Sequence, residues 1–399
     1  MARKKVYIRI KQRFLALLLI LSGLSGFILG VSIYKVYPTV FSSEKSAVRA
    51  ISANNLKEKL AKKDFTLINV HTPYEGEIER TDSFIEYDSM KANEAQLPKD
   101  KNASIVLYCK SGSMSAEAFQ TLKGMGYTNV MHLEGGMNSW KKEGFGLLDL
   151  SKLPEQVLPE EGFELPISWG DLAPRLIELG VIDEQKFEKT VSIGNQEMQV
   201  FKGNADIPVK INSGNNQFVV DVLWAMGLAQ KSLVYEQGPM GKENRNQAGN
   251  FAATGGWTLA RGGAMDHYNK HDLIQLTEEQ QKKVIEIAQN VYRPCCGNHT
   301  AFPDCNHGMA ALAAIELMVA KGISDEEIYK NVLKLNSFWF PGNYLTTATF
   351  FARQGISWDK VDAKLVLGSD YSSGQGAAEI SQKVGQLPYE GFQGGSCGA

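Results

Sequence analysis

Ser104-Ile105-Val106-Leu107-Tyr108-Cys109-Lys110-Ser111-Gly112-Ser113-Met114-Ser115 is the stretch on which the fold turns. Its apolar first part reads as a short buried strand. Residues 116–123 are good helix formers, with apolar side chains at Ala118, Phe119 and Leu122. The cysteine therefore stands between a strand end and a helix start. There, backbone N–H groups lack intrahelical partners and the helix dipole is positive. Both features favour a sulfur anion, which makes Cys109 the candidate reactive sulfur. The small residues Ser111, Gly112 and Ser113 let the loop curl so that several amides face one anion. The competing reading is a buried structural cysteine at a strand end.

Outward from this loop the pattern alternates helix and strand. Ser52 is placed to cap a helix over 53–61, and residues 65–70 read as a buried strand. Residues 74–90 are mixed and polar, with a short strand expected near Phe84-Ile85. A last strand over 129–133 leads into Glu134-Gly135-Gly136 and a helix containing Trp140. Strands separated by helices argue for a parallel sheet, with ligands at the strand ends.

A cysteine at a strand end, a tight loop closed by serine, and then Leu133-x-Gly135-Gly136-x3-Trp140 resemble a rhodanese-like sulfurtransferase domain over about 47–146. The resemblance implies an α/β fold, a parallel sheet flanked by helices. It implies Cys109 as the nucleophile that carries sulfane sulfur as a persulfide, and no cofactor for the transfer. Lys110, Ser111, Gly112, Ser113, Met114 and Ser115 would form the substrate-binding cradle. Thiosulfate or a polysulfide would be the donor and a thiol the acceptor, with Lys110 adding positive charge at the mouth. Asn69-Val70-His71 stands where the family usually has Asp-x-Arg, and Gly76-Glu77-Ile78 replaces the usual Gly-His-Ile segment. His71 is read as a structural hydrogen-bonder.

The 399 residues suffice for two or three domains, and their net charge of −2 leaves nucleic acid without an electrostatic partner surface. The dense basic cluster is N-terminal: Arg3, Lys4, Lys5, Arg9, Lys11 and Arg13. Residues 14–34 follow without a charge, and a helix of that length spans roughly 30 Å. With this flank the stretch, extended to 14–36, is expected to be an uncleaved single-pass cell-membrane anchor. It would leave 1–13 in the cytoplasm and the rest outside.

Residues 147–162, with Pro154, Pro159 and the acids Glu155, Glu160 and Glu161, read as an exposed interdomain linker. Beyond it, 163–390 reads as a larger, mainly helical α+β domain. A helix over 172–179, a second one capped by Asp183, a strand pair over 198–210 and an apolar helix over 216–228 stopped near Gly227 are expected. Thr277 with Gln280 makes a capping box. Pro294 ends that helix, and Cys295-Cys296-Gly297-Asn298-His299-Thr300-Ala301-Phe302-Pro303-Asp304-Cys305-Asn306-His307 follows, with Asp304 or Asn306 as the expected cap of the next helix.

Three cysteines and two histidines in thirteen residues invite three readings. Cys295, Cys296, Cys305, His299 and His307 could ligate a transition metal, zinc or copper. The same thiols could serve redox chemistry or accept a persulfide, or a disulfide could simply close the loop. The alternative function is thus a metal-binding or thiol-redox assembly module that uses its α/β domain only for docking. His267 and His271, four apart, are read as a surface pair. The Gly-rich tail over 391–399 carries Cys397 and is expected to be flexible.

Overall fold

The computed structural model describes residues 48–203 and 207–389. The expected anchor over 14–36 and the tail with Cys397 lie outside these residues. Among the described residues no helix is long and apolar enough to cross a membrane.

The first part of the chain is the expected α/β layer. Strands β1 (Ala50–Ile51), β2 (Thr66–Asn69), β3 (Ser83–Phe84), β4 (Ile105–Tyr108) and β5 (Val130–Leu133) form one sheet in the order β1-β5-β4-β2-β3. All the pairings are parallel, with Leu67 beside Val106, Asn69 beside Tyr108 and Leu107 beside His132. Parallel strands are buried on both faces, which is why β4 reads as an uninterrupted apolar run, fully buried from Ile105 to Tyr108. Helices α1 (Ala53–Ala61), α2 (Ser113–Gly124) and α3 (Gly136–Lys142) flank the sheet. Ser52 caps α1, its side chain accepting from the Asn55 N–H.

From β2 the chain moves outward to β3, whereas from β4 it moves the other way to β5. The carboxyl ends of β2 and β4 thus border a topological switch point, the crevice where open α/β sheets bind ligands. Cys109 follows β4 directly into that crevice.

Residues 147–162 are not an exposed linker. They contain helix α4 (Leu153–Val157), and Leu150, Leu153 and Val157 are buried in the core of the second half. Pro154 and Glu155 lie in the first turn of α4, Pro159 opens the turn that carries Glu160 and Glu161, and Leu150, Leu153 and Val157 pack inward at helical spacing. Strand β6 (Phe163–Ser168) then pairs antiparallel with β7 (Pro208–Ile211). Between them lie α5 (Leu172–Glu178), α6 (Glu184–Thr190), capped by Asp183, and α7 (Asn195–Phe201). The expected strand pair over 198–210 is therefore helix α7 followed by β7. Val200 and Phe201 are adjacent and both buried, a helical packing that alternating Met198 and Val200 disguised.

Helices α8 (Asn216–Ala229), α9 (Glu278–Ala288), α10 (Asn306–Ala320), α11 (Asp325–Trp339), α12 (Pro341–Arg353) and α13 (Gly374–Val384) complete the principal architecture. The capping box at α9 is present in both directions: Gln280 N–H to Thr277 Oγ1 at 3.2 Å and Thr277 N–H to Gln280 Oε1 at 2.9 Å. Helix α8 is buried from Phe218 through Ala229, and α10 from Asn306 through Glu316. Helices apolar on all sides form the centre of a helical core. Gly227 does not stop α8. It lies inside it, where a Cβ would come within 2.4 Å of the Met309 carbonyl oxygen, so its missing side chain permits the close approach of α10.

Candidate functional site

Gly112, with φ of +97°, caps α2 and turns the loop back over the end of β4. That turn aims the Gly112 N–H at the Cys109 sulfur at 3.1 Å, and the first turn of α2 adds the Ser115 N–H at 3.4 Å. The Ser115 hydroxyl lies 3.6 Å from the same sulfur, 3.1 Å from the Gly112 carbonyl and 3.2 Å from His132 Nδ1. Helix α3 locks the loop from the other side, with Met137 N–H donating to Cys109 O at 2.8 Å and Asn138 N–H to Lys110 O at 2.9 Å. Gly136, at φ +57°, is required for this docking, because a Cβ there would come within 2.1 Å of the Cys109 oxygen. The Gly135-Gly136 pair of the sequence motif thus serves to seat the loop.

Cys109 is 1% exposed, beneath a loop whose outer face is formed by Lys110, Ser111 and Ser113. Of the six expected cradle residues, Gly112 and Ser115 direct amides at the sulfur. Ser111 and Ser113 bring their hydroxyls within 3.5 Å of each other, and Met114 Sδ lies 3.4 Å from His71 Nδ1. Lys110 does not offer an unneutralised charge at the mouth. Its ammonium pairs with Glu75 at 2.8 Å, and that hydrogen bond holds the Glu75 carboxyl below the usual range. His71 is buried, as its structural reading requires, and its backbone N–H is held by Asn69 Oδ1 at 3.0 Å. Asn69 also donates to Gly76 O at 3.1 Å, so it shapes the turn after β2. His132 was not anticipated. Burial lowers its pKa, and it meets Ser115 because β5 lies beside β4.

The second constellation is built on the start of α10. Cys305 itself, not Asp304 or Asn306, caps this helix, accepting from the Gly308 N–H at 3.4 Å. Its sulfur lies 3.5 Å from that of Cys295, and with Cys296 the three sulfurs all lie within 4.8 Å of one another. Arg293, fully buried, spans the loop, donating to Cys296 Sγ, Asp304 Oδ1 and Thr300 Oγ1, each at 3.2 Å. Gly308 leaves room for the guanidinium, which a Cβ would meet at 2.7 Å. Hydrogen bonds from the Cys295 and Cys296 thiols hold the Cys305 thiol well below its ordinary value, while Cys295 is pushed up by its thiol neighbours. Arg293 was missed in the sequence; its one signal is a lone charge directly ahead of Pro294 and the cysteines.

The two expected histidine ligands do not join this cluster. His307 turns into an aromatic wall, its ring centroid 4.6 Å from Phe340 and 5.7 Å from Trp339, and burial lowers its pKa to about 4. His299 stacks edge-on to Tyr292 at 5.9 Å. Three thiol sulfurs suit a soft ion. The set supplies only part of a tetrahedral zinc shell, and a guanidinium touches one of its members.

His267 and His271 are not a surface pair on a helix. His267 is buried, and the two rings approach at 3.3 Å between Nδ1 and Nε2, next to a short 3-10 turn.

A family model described as "Rhodanese-like domain" matches residues 52–143. The chain is 30% identical over 92 residues to an uncharacterized protein of Synechocystis, covering 23% of this chain and 51% of that one. It is 40% identical over 81 residues to a probable adenylyltransferase/sulfurtransferase, MoeZ, of Mycobacterium tuberculosis, covering 19% and 20%. It is 28% identical over 104 residues to a sulfurtransferase of Allochromatium vinosum, covering 25% of this chain and 95% of that one. The chain thus spans about half the length of the first of these proteins and a fifth of the second. No family model matches the residues after 143.

Proposed function

On the premise that residues 52–143 are a rhodanese-like domain, we propose that this protein is a membrane-anchored, extracytoplasmic sulfurtransferase-like protein whose sulfur carrier is Cys109. The observation that carries the reading is the pair of N–H groups, from Gly112 and Ser115, directed at a sulfur at the switch point of the sheet. The Cys109 thiolate attacks the outer sulfur of thiosulfate; the sulfur–sulfur bond of the donor breaks and sulfite leaves. The product, Cys109–S–S⁻, is an anion, and preorganised amides favour such a charge without reorganisation. A thiolate acceptor then takes the outer sulfur and returns Cys109 as the thiolate. The step requires no cofactor, and Lys110, Ser111, Ser113 and Met114 form the rim past which the donor enters.

Thiocyanate formation from thiosulfate and cyanide tests this reading. Wild-type protein should turn over, and Cys109→Ser should fall to background. Equal rates in the two proteins would remove the enzymatic assignment.

The anchor over 14–36 and the outward placement of the soluble part rest on the charge pattern of the first 35 residues. Retention of the protein in alkali-washed membranes, with 48–389 open to external protease, is the corresponding test. The C-terminal half adds a metal- or thiol-active cluster at Cys295, Cys296 and Cys305. The second reading, a metal-binding or thiol-redox module docked through its α/β domain, draws support from the proximity of these three sulfurs. Zinc or copper bound stoichiometrically, with no sulfur transfer by Cys109, would favour it.

A further inference from the structure

We propose that Cys305 and Cys295 form a second sulfur-handling site, which takes sulfane sulfur from a small-molecule persulfide and releases it as hydrosulfide. The inference does not depend on Cys109 and is tested in its absence.

Four features point to sulfur chemistry rather than an inert pair or a metal shell. The Cys295 and Cys305 sulfurs are 3.5 Å apart, van der Waals contact and close enough to bond after a small side-chain rotation. Cys305 sits at the N-terminus of the fifteen-residue helix α10 and receives its Gly308 N–H, so an anion on this sulfur, or on one attached to it, meets aligned donors. Arg293 is fully buried, has one carboxylate partner in Asp304, and keeps its Nε–H without any partner. A buried cation with an unused donor beside three thiols calls for a further anion. A thiolate or persulfide supplies one. Finally, the three cysteines are only partly buried, in a loop at the start of α10 and not inside its core.

The chemistry balances in two steps. The Cys305 thiolate attacks the outer sulfur of R–S–SH, forming Cys305–S–SH and expelling R–S⁻. The Cys295 thiol gives up its proton to solvent, and its thiolate attacks the inner sulfur, the Cys305 Sγ, of the protonated persulfide. The Cys295–Cys305 disulfide forms, the outer sulfur–sulfur bond breaks, and the outer sulfur leaves with its own proton as HS⁻. The sulfane sulfur is reduced to sulfide and the two cysteines are oxidised. A small external dithiol restores them. Cys296, held by Arg293, is the positioning neighbour and not a bonding partner.

The test uses the full chain carrying Cys109→Ser and Cys397→Ser, reduced, freed of small thiols and treated with cysteine persulfide. One equivalent of sulfide per chain and a disulfide joining the Cys295 and Cys305 peptides are expected. Adding Cys295→Ser should abolish the sulfide burst and leave one extra sulfur on Cys305. Adding Cys305→Ser should abolish both the burst and the extra sulfur, and mapping of the parent protein's disulfide keeps the proposal falsifiable if Cys295→Ser does not fold. No burst from the parent protein, a disulfide closing on Cys296, or extra sulfur absent from Cys305 in Cys295→Ser would each overturn it. So would a purified protein whose three cysteines hold stoichiometric zinc or copper that is lost in Cys305→Ala. Failure of thiosulfate turnover at Cys109 leaves all of these readouts unchanged.

Discussion

A single methyl group on Gly136 would press within 2.1 Å of the Cys109 oxygen, at a backbone angle that side chains disfavour. Gly136→Ala is therefore expected to destabilise the protein by about 2–4 kcal/mol, measured by urea unfolding, and to slow sulfur loading by displacing the loop. Ser115→Ala keeps the amide that reaches the sulfur and loses the buried hydroxyl that meets Cys109 Sγ, the Gly112 carbonyl and His132. Loss of the contact with the sulfur, about 1 kcal/mol, lowers thiocyanate turnover about fivefold, and the buried groups left unpaired lower the unfolding midpoint as well. Glu316, on α10, offers a pH test. It is fully buried, and burial pushes its carboxyl from 4.5 up to about 8. Below about pH 4.5 folded and unfolded chains both hold this proton. As pH rises towards 8 only the unfolded chain releases it, so stability falls across that window. The loss is about 5 kcal/mol at most. Glu316→Gln should flatten that slope, and an unchanged pH–stability curve would show that Glu316 does not titrate in this way.

At the scale of elements, much of the first half was legible because local signals agree with the tertiary result. The Ser52 cap, the apolar run at 105–108 and the Gly135-Gly136 turn all coincide with observed boundaries. In the second half, legibility fails where packing outweighs periodicity. Helices α8 and α10 are buried on every side, so no face distinguishes their partners, and Gly227 reads as a stop when it is a contact. The cysteine cluster was visible as spacing. His299 and His307 were misjudged because chain proximity says nothing about the aromatic wall that draws His307 away. Arg293 was invisible in role because its partners, Cys296, Thr300 and Asp304, are spread along the loop. The element-scale prediction concerns the α8–α10 contact. Gly227→Ala should cost about 2–4 kcal/mol, read as a lower denaturant midpoint, because backbone and not a flexible side chain opposes the added carbon.

Across the whole molecule, the α/β layer and the helical half are joined by a buried bidentate pair. Arg353 of α12 donates to Glu77 from Nε at 2.8 Å and from the second guanidinium nitrogen at 2.7 Å, and also to the carbonyls of Asp82 and Val384. Glu77 occupies the segment that stands in place of the usual rhodanese-like Gly-His-Ile, and its neighbour Ile78 donates its N–H to the hydroxyl of Tyr108, the residue before Cys109. Docking and the sulfur loop therefore share one stretch of chain. Arg353→Met strands a buried carboxylate and should cost about 3–5 kcal/mol, while the double variant with Glu77→Leu should recover much of that loss in unfolding experiments. The central claim, that Cys109 carries sulfur, is tested most directly by peptide mass spectrometry of the full chain after thiosulfate. One additional sulfur atom on the Cys109 peptide, removed by cyanide, is the expected result. A Cys109 peptide of unchanged mass would contradict it.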